Sequence, residues 1–300
     1  LARGTDARQL QLKLYGRGQP ASLSRVLPLL ENIGFTVESV QPYAIAPDYW
    51  LQQYTLTLPA AIAPEAVESR LADAFRRIWT DATDSDRLNA LLLVTTLDIG
   101  EIAVLRALGK YMMQAGAPYN YEQICAALNA NPDAAAALIA AFHAKMQPSQ
   151  GDATAAFAAL QNALQQVQSA EHEAILRWYS DLLNALVRTN YYQKDANGQA
   201  KNRLAFKFAA RDIPGLPKPK PLYEIWVYSP EVEGVHLRGG KVARGGLRWS
   251  DRHADFRTEV LGLVKAQMVK NAIIVPVGSK GGFVVKNPPA DRDAFMEAGK

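Results

Sequence analysis

The chain of 300 residues is 49% hydrophobic and 21% charged, which is the composition of a folded globular protein with enough apolar material for more than one core. No signal peptide is recognisable and no apolar run approaches the ~18 residues of a bilayer-spanning helix, so we expect no membrane partner. The single cysteine, Cys125, excludes an internal disulfide framework and favours a reducing, cytoplasmic location.

The net charge of +4 is unevenly distributed along the chain. From Arg211 onward there are 15 Lys and Arg against 10 Asp and Glu, whereas the first 210 residues have 18 against 19. A basic C-terminal third is one feature of nucleic-acid-binding proteins. However, no Lys- and Arg-rich block and no aromatic RNA-binding pattern occur, and cations scattered beside glycines favour a small anionic ligand, so we expect no nucleic-acid partner. The four histidines form no HxxxH or HExxH pair, so we expect no protein-bound metal.

The first 88 residues predict an α+β module with the element order β-α-β-β-α. Residues 10–16 alternate apolar and polar side chains, as a half-buried strand does. A helix follows, with Ser22 as its N-cap and Gly34 as its stop. Two further strands and a second amphipathic helix, with Pro64 near its first position, complete the module. This order is typical of a ferredoxin-like fold, which does not by itself define a function.

Residues 89–190 predict a helical region, because apolar residues recur with the helical period and glycine is scarce. Pro132 is expected to separate two helices within it. Cys125 lies in this pattern, and we interpret it as buried packing rather than as a nucleophile. The adjacent Met112 and Met113 are interpreted in the same way.

The third region, residues 191–300, begins where the texture of the sequence changes at Tyr191. Two strand-like runs flank Asn197-Gly198, a strong turn signal, and predict a hairpin. Four prolines between Pro214 and Pro221 predict a stiff extended segment, which either links domains or packs along the edge of a sheet. A strand is expected to follow from Tyr223.

Chemistry is predicted for residues 239–286. A cationic glycine turn, residues 244–248, is followed by a helix from Asp255 to Lys270, with Asp255 as its N-cap. An apolar strand, residues 272–277, then leads into a second glycine-rich turn, residues 278–282, and another strand. Glycines let a ligand approach backbone N–H groups closely.

The charged residues of this segment predict a site for a small dicarboxylate. Each has a simpler interpretation when taken singly: Arg244 as a surface cation, Lys270 as a charge at a helix C-terminus, and Lys280 as a turn residue. Their combined occurrence, in this order beside two glycine groups, favours a ligand site. A non-catalytic module that senses amino acids and binds an anion in its glycine loop is the alternative.

This segment resembles the substrate-binding domain of glutamate dehydrogenases, through ARGGLRWSDR, the helix ending MVKNA and the loop PVGSKGG. It is most similar to the large bacterial NAD-dependent members, in which ACT-like modules and helical segments precede such a segment. The resemblance implies a multidomain α+β and α/β chain: an ACT-like module (1–88), a helical region (89–190) and the first part of the substrate-binding domain (191–300).

The resemblance also implies roles for individual residues. Lys280 corresponds to the catalytic lysine, and Lys270 to a lysine that binds the substrate α-carboxylate. Arg244, with Gly245 and Gly246, falls where smaller members place a lysine for the side-chain carboxylate, and Gly278 belongs to the substrate loop. This chain departs from the family in having arginine at 244 and a glycine loop that is one residue shorter.

The implied reaction is the NAD-dependent oxidative deamination of L-glutamate to 2-oxoglutarate and ammonia. Lys280 would act as an uncharged base, which burial and the cations at 244 and 270 favour. No G-x-G-x-x-G fingerprint follows a predicted strand, so residues that bind NAD are expected outside this chain, which alone should be inactive. The family also implies a homo-oligomer and an amino-acid effector at the ACT-like module.

Overall fold

The computed structural model describes residues 2–3, 8–59, 62–147, 149, 151–270, 278–288, 291, 293–294 and 297. The side chains of residues 2, 3, 64 and 268–270 are not part of that description. The chain forms two compact units, Leu1–Ala103 and Val104–Lys300, and the division falls inside one helix, α4 (Ile99–Gln114).

The first unit contains a four-stranded antiparallel sheet with the strand order β1-β2-β4-β3. The predicted order β-α-β-β-α is present from β2 to α2, and β1 pairs with the outer edge of β2. A 3-10 turn (Arg87–Ala90) and a short helix, α3, follow. The elements are β1 (Ala2–Arg3), β2 (Gln9–Arg17), α1 (Leu23–Asn32), β3 (Thr36–Ala46), β4 (Tyr49–Thr57), α2 (Pro64–Trp79) and α3 (Leu91–Val94).

Alternation along β2 and β4 determines which face of this sheet the helices cover. Leu10 and Leu56 are register partners and are buried beneath the helices, whereas Gln11 and Thr55 face the other side and form a hydrogen bond of 3.1 Å. Gly34 follows α1 with φ at +97°, the left-handed conformation that often ends a helix. Ser22 precedes α1 as predicted, but its hydroxyl contacts that of Ser24 instead of capping the helix.

Helices form the first part of the second unit. Asn120 and Gln123 build a capping box at the start of α5, and Pro132 occupies the first turn of α6, at the predicted break. Cys125 is buried in the core between these helices, as predicted. Besides α4, the helices are α5 (Tyr121–Ala130), α6 (Pro132–Met146), α7 (Ala153–Gln165) and α8 (Ala170–Ala185).

Within the described residues, no single helix is long and apolar enough to cross a bilayer. Helices α5 and α6 reach that length and apolar character only together, and a bend of 97° separates them.

A six-stranded sheet forms the rest of the second unit, in the order β5-β6-β7-β8-β10-β9. All neighbouring strands are antiparallel except β9 and β10, which are parallel. Helix α9 precedes β10 and packs against it. The elements are β5 (Leu186–Thr189), β6 (Leu204–Ala209), β7 (Tyr223–Tyr228), β8 (Val232–Arg238), β9 (Leu247–Trp249), α9 (Phe256–Lys270) and β10 (Ser279–Val285).

Helix was predicted up to residue 190, but residues Leu186–Thr189 form the strand β5, so that part of the prediction is wrong. The predicted hairpin across Asn197-Gly198 also differs, because β6 pairs with β5 and not with the residues directly before the turn. The turn itself forms: Gly198 has φ at +75°, and the Asp195 carboxylate accepts the N–H groups of Asn197 and Gln199. Of the predicted first strand, the described residues retain one bridge, Lys194 to Ala200.

The proline-rich segment connects the neighbouring strands β6 and β7 inside the second unit, so it is not a linker between the two units, and its packing along a sheet edge stays a prediction. Leu216 is buried, and the Trp178 ring of α8 lies directly against Gly215. The Lys220 ammonium donates to the carbonyl oxygens of Ile213 and Pro214. These contacts join the segment to α8 and to itself.

A buried ion pair fixes α9 to the sheet. The Arg257 guanidinium donates two hydrogen bonds, of 2.5 and 2.9 Å, to the Glu224 carboxylate of β7, and the two side chains are 1% and 0% exposed. Burial opposes the charge on Arg257, but the Glu224 carboxylate raises the pKa of Arg257 above its ordinary value. Trp226, two residues along β7, stacks on Phe256 of α9 and donates its indole N–H to the Ala107 carbonyl of α4 at 2.9 Å.

The burial of this pair generates a prediction. Glu224→Leu leaves the Arg257 charge buried without its partner, so the free energy of unfolding of the chain in urea should fall by about 3–5 kcal/mol. Replacing both charges with apolar side chains, in Glu224→Leu with Arg257→Met, should recover most of that loss. As a control, Glu231→Gln breaks the Arg203–Glu231 pair, whose side chains are 68% and 63% exposed, and should cost less than ~1 kcal/mol. A loss of less than ~1 kcal/mol in the single variant Glu224→Leu would contradict the role of the pair.

Candidate active site

The cationic glycine turn lies beside the start of β10. Arg244 and Gly278 are partners in a parallel bridge, and the Gly281 N–H donates to the Gly246 carbonyl at 3.2 Å. At the end of β8, the Gly239 N–H donates to the Gly278 carbonyl at 3.0 Å. Three chain segments therefore meet around Gly278, and the two glycine groups of the sequence are neighbours in space.

Glycine is required at position 245, where the turn meets the Ser279 backbone, whereas Gly278 faces only the flexible Gln267 side chain. A Cβ atom on Gly245 would overlap the carbonyl oxygen of Ser279, and one on Gly278 would lie 2.7 Å from the Gln267 side-chain oxygen. Neither glycine has a positive φ, so the requirement is for space rather than for an unusual backbone conformation. Gly246, the next residue of the turn, has open space at the corresponding position.

Lys280 lies in a strand and not in a turn, so the predicted glycine turn at residues 278–282 is wrong. Ser279–Val285 is one continuous strand, because β8 on one side and β9 on the other supply its hydrogen-bond partners. The strand predicted at residues 272–277 lies outside the described residues. Lys280 is paired with Leu237 of β8, and the pairing with β9 begins one residue later, at Gly281.

The register of β10 determines the direction of Lys280. A Cβ on Gly282 would point at Val260 of α9, and residues two apart in a strand face the same side. The half-buried Lys280 side chain therefore stands on the face that α9 covers. This is also the face of Leu237, its register partner in β8.

Arg244 and Lys270, the two cations predicted beside Lys280, come from the turn and from the end of α9. The Arg244 side chain is exposed, and its backbone lies beside Gly278. Lys270 is the last residue of α9, and its side chain is not among those described. The structure thus brings the Arg244 turn next to the start of β10. That the Arg244 and Lys270 side chains bind a ligand stays a prediction.

Gln267 is a residue of this region that the sequence analysis missed. Its amide nitrogen donates to the Arg244 carbonyl at 3.3 Å, and its buried oxygen, adjacent to Gly278, has no hydrogen-bond partner among the described residues. A buried acceptor without a partner is unusual and is suited to a donor on a ligand. The sequence could have indicated Gln267 through its spacing from Lys270, because residues three apart lie on one face of a helix.

Arg248, the other cation of the turn, is paired. Its guanidinium forms an ion pair of 2.5 Å with Glu259 of α9, and the Ser250 hydroxyl donates to the same carboxylate at 2.6 Å. These bonds attach β9 to the first turn of α9. Of the two arginines in the turn, Arg244 is therefore the one that the contacts leave directed to solvent. Within the described ranges, no group of three His, Cys, Asp or Glu side chains is placed to bind a metal ion.

Comparison with known proteins assigns three consecutive parts of the chain. Residues 2–69 match the family model of the glutamate dehydrogenase ACT3 domain, residues 83–148 that of glutamate dehydrogenase helical motif 3, and residues 159–300 that of the catalytic domain of bacterial NAD-glutamate dehydrogenase.

Nearly the whole chain also matches parts of longer glutamate dehydrogenases. The chain is 45% identical to the NAD-specific glutamate dehydrogenase of Halomonas elongata over 97% of its length, 45% identical to that of Pseudomonas aeruginosa over 96%, and 44% identical to that of Mycobacterium tuberculosis over 96%. It spans 19% of the length of each of these relatives.

The close approach at Gly245 is testable against its neighbour. Gly245→Ala places a methyl group on the Ser279 carbonyl and must separate the turn from β10, so the chain should unfold at a urea concentration clearly below that of the unmodified chain. Gly246→Ala adds the same methyl group in open space and should change the midpoint much less. Equal midpoints for the two variants would show that the turn and the strand are not in contact.

Proposed function

We infer that the chain is a segment of a bacterial-type NAD-specific glutamate dehydrogenase, and we propose that the whole protein oxidatively deaminates L-glutamate to 2-oxoglutarate and ammonia. The observation that carries the proposal is the meeting of the Arg244 turn, the Gln267 end of α9 and the Lys280 strand in one region. Cations and an amide on three adjacent elements suit a substrate with two carboxylates.

Lys280 is proposed as the catalytic base. It stands on the α9 face of β10, is half-buried, and follows Gly278, the bridge partner of Arg244, by two residues. When hydride leaves the α-carbon of glutamate with its amine unprotonated, the product is an iminium ion. Water then attacks the iminium carbon, Lys280 takes the proton that the water loses, and the resulting carbinolamine releases ammonia to give 2-oxoglutarate. Arg244 and Lys270 are proposed to bind the two carboxylates, and Gln267 to accept a hydrogen bond from the substrate.

NAD supplies the acceptor for the hydride when it is bound. The six-stranded sheet of the second unit is mostly antiparallel, and the chain has no dinucleotide-binding glycine fingerprint. We therefore propose that residues outside this chain bind NAD. Lys280, Arg244 and Lys270 would then hold and orient glutamate toward a neighbouring part of the longer protein.

For the first unit we propose a ferredoxin-like, ACT-like module that binds an amino-acid effector. A pocket of about 260 Å³ between β2, α1 and α2 supports a binding role, and its walls are mostly apolar. The alternative is a structural or oligomerising module. We further propose a cytoplasmic homo-oligomer, with which the single buried cysteine is consistent.

The effector proposal is tested by isothermal calorimetry of the longer protein with each amino acid. We expect heat of binding for at least one apolar amino acid, and its loss in Ala72→Trp, because residue 72 lines the pocket and the larger side chain would occupy it. Absence of heat with every amino acid other than glutamate, the proposed substrate, would favour the structural alternative. Heat that persists unchanged in Ala72→Trp would place the effector elsewhere.

The catalytic proposal is tested by Lys280→Ala in the full-length enzyme. Loss of a general base should lower kcat by about 10²–10⁴-fold in glutamate-dependent NAD reduction, with the fold retained. Lys286→Ala is the matched control, since Lys286 directly follows β10 and contacts Glu233 and the Ser229 carbonyl instead of the site. Its kcat should stay within about twofold of the unmodified enzyme. Turnover retained in Lys280→Ala, with altered regulation, would instead support the non-catalytic sensing module.

A further inference from the structure

Gln114, the last residue of α4, makes a set of contacts that the proposed chemistry does not use. Its side chain is only 8% exposed. The amide nitrogen donates to the carbonyl oxygens of His253 at 2.9 Å and Ala254 at 3.1 Å, and the amide oxygen accepts the Arg257 backbone N–H at 3.2 Å. One side chain thus holds three backbone groups on both sides of the first residue of α9.

These contacts replace a cap that the sequence led us to expect elsewhere. The first N–H groups of a helix have no partner inside the helix, and a side chain from the preceding residue usually accepts them. Asp255 was predicted in that role, but its carboxylate pairs with Arg252. Gln114 accepts the Arg257 N–H instead, so the start of α9 is capped from another helix.

Among the described side chains of α9, which exclude residues 268–270, most ion pairs and hydrogen bonds lie at its start. In the first turn, Arg257 pairs with Glu224 and Glu259 pairs with Arg248. At the far end, the described side-chain hydrogen bond is that of Gln267 to the Arg244 carbonyl, at 3.3 Å, which is weaker. The helix has 15 residues and is about 22 Å long, and Val260 packs it on β10, so a change of direction at its start displaces its far end.

We propose that Gln114 is a positioning residue of the substrate site: by clamping the start of α9, it sets where Gln267 and Lys270 stand relative to Lys280. This inference rests on the proposed function, because it assigns those residues to glutamate. Reacting groups tolerate little displacement, and a shift of ~1 Å caused far from the chemistry can lower the rate about 100-fold. Gln114 does not approach the substrate, and it acts only through the helix.

The test uses the full-length enzyme with Gln114→Met, which keeps the length of the side chain and removes all three hydrogen bonds. We expect KM for glutamate to rise at least ~5-fold, because α9 presents its substrate-binding end less accurately, while KM for NAD stays within about twofold. Thermal unfolding is measured on the same samples.

Asn190→Leu is the matched control. The Asn190 amide also bonds two backbone groups of the same unit, the Arg203 carbonyl at 2.9 Å and the Ala205 N–H at 2.7 Å, but it lies between β5 and β6 and does not contact α9. This variant should lose stability without a change in KM for glutamate. If Gln114→Met likewise lowers only the unfolding temperature and leaves KM for glutamate within twofold, the residue is purely structural and the proposal is overturned.

Hydrogen exchange provides a second measurement if Gln114→Met does not fold. Gln114→Glu keeps the acceptor for the Arg257 N–H and loses both donors. Faster amide exchange around Gln267, with β7 unchanged, supports the proposal, and unchanged exchange there overturns it. A full-length protein that fails to reduce NAD with glutamate would overturn the proposed function instead, and the exchange comparison would still decide whether Gln114 positions α9.

Discussion

The Glu224–Arg257 ion pair, shielded from water, is the constraint on which the second unit depends. Removing two charges from water is costly, and the pair is tolerated because a bidentate contact satisfies both groups. The same two residues join β7 to α9, while Trp226 joins β7 to α4. Tyr111 of α4 lies beside the pair, and its pKa is raised first by burial and then by the Glu224 charge. Three elements that are distant in sequence are therefore fixed at one point.

From that point the candidate site follows by geometry. Helix α9 runs from the ion pair to the glycine turns, β10 passes beneath it, and the Arg244 turn lies against the start of β10. At Gly245 the turn approaches the Ser279 backbone more closely than any larger residue allows, whereas at Gly278 the near atoms belong to the Gln267 side chain. The separation between the Arg244 turn and β10 is therefore set by a main-chain contact.

Much of this arrangement was predictable from sequence, and the failures have physical causes. The bounds of α1, α2 and α9 follow from local pattern, because helix hydrogen bonds join residues four apart. The strands β5 and β10 were misjudged because their partners, β6 and β8, are chosen by contacts that no local pattern encodes. Gln114 and Gln267 were not found, since a neutral amide has no periodicity or charge that indicates its role. The resemblance identified Lys280 and Arg244. Only the structure showed that pairing with β8 holds Lys280 and that a bridge to Gly278 holds Arg244.

The placement of Lys280 in β10 has a consequence for how this region can change in evolution. Successive residues of a strand point to opposite faces, so inserting a single residue between Ser279 and Lys280, with Ser279 held in register, would turn the ammonium away from α9 without altering its chemistry. Length variation is therefore expected to be excluded within the ladder that β10 forms with β8 from Ser279 onward.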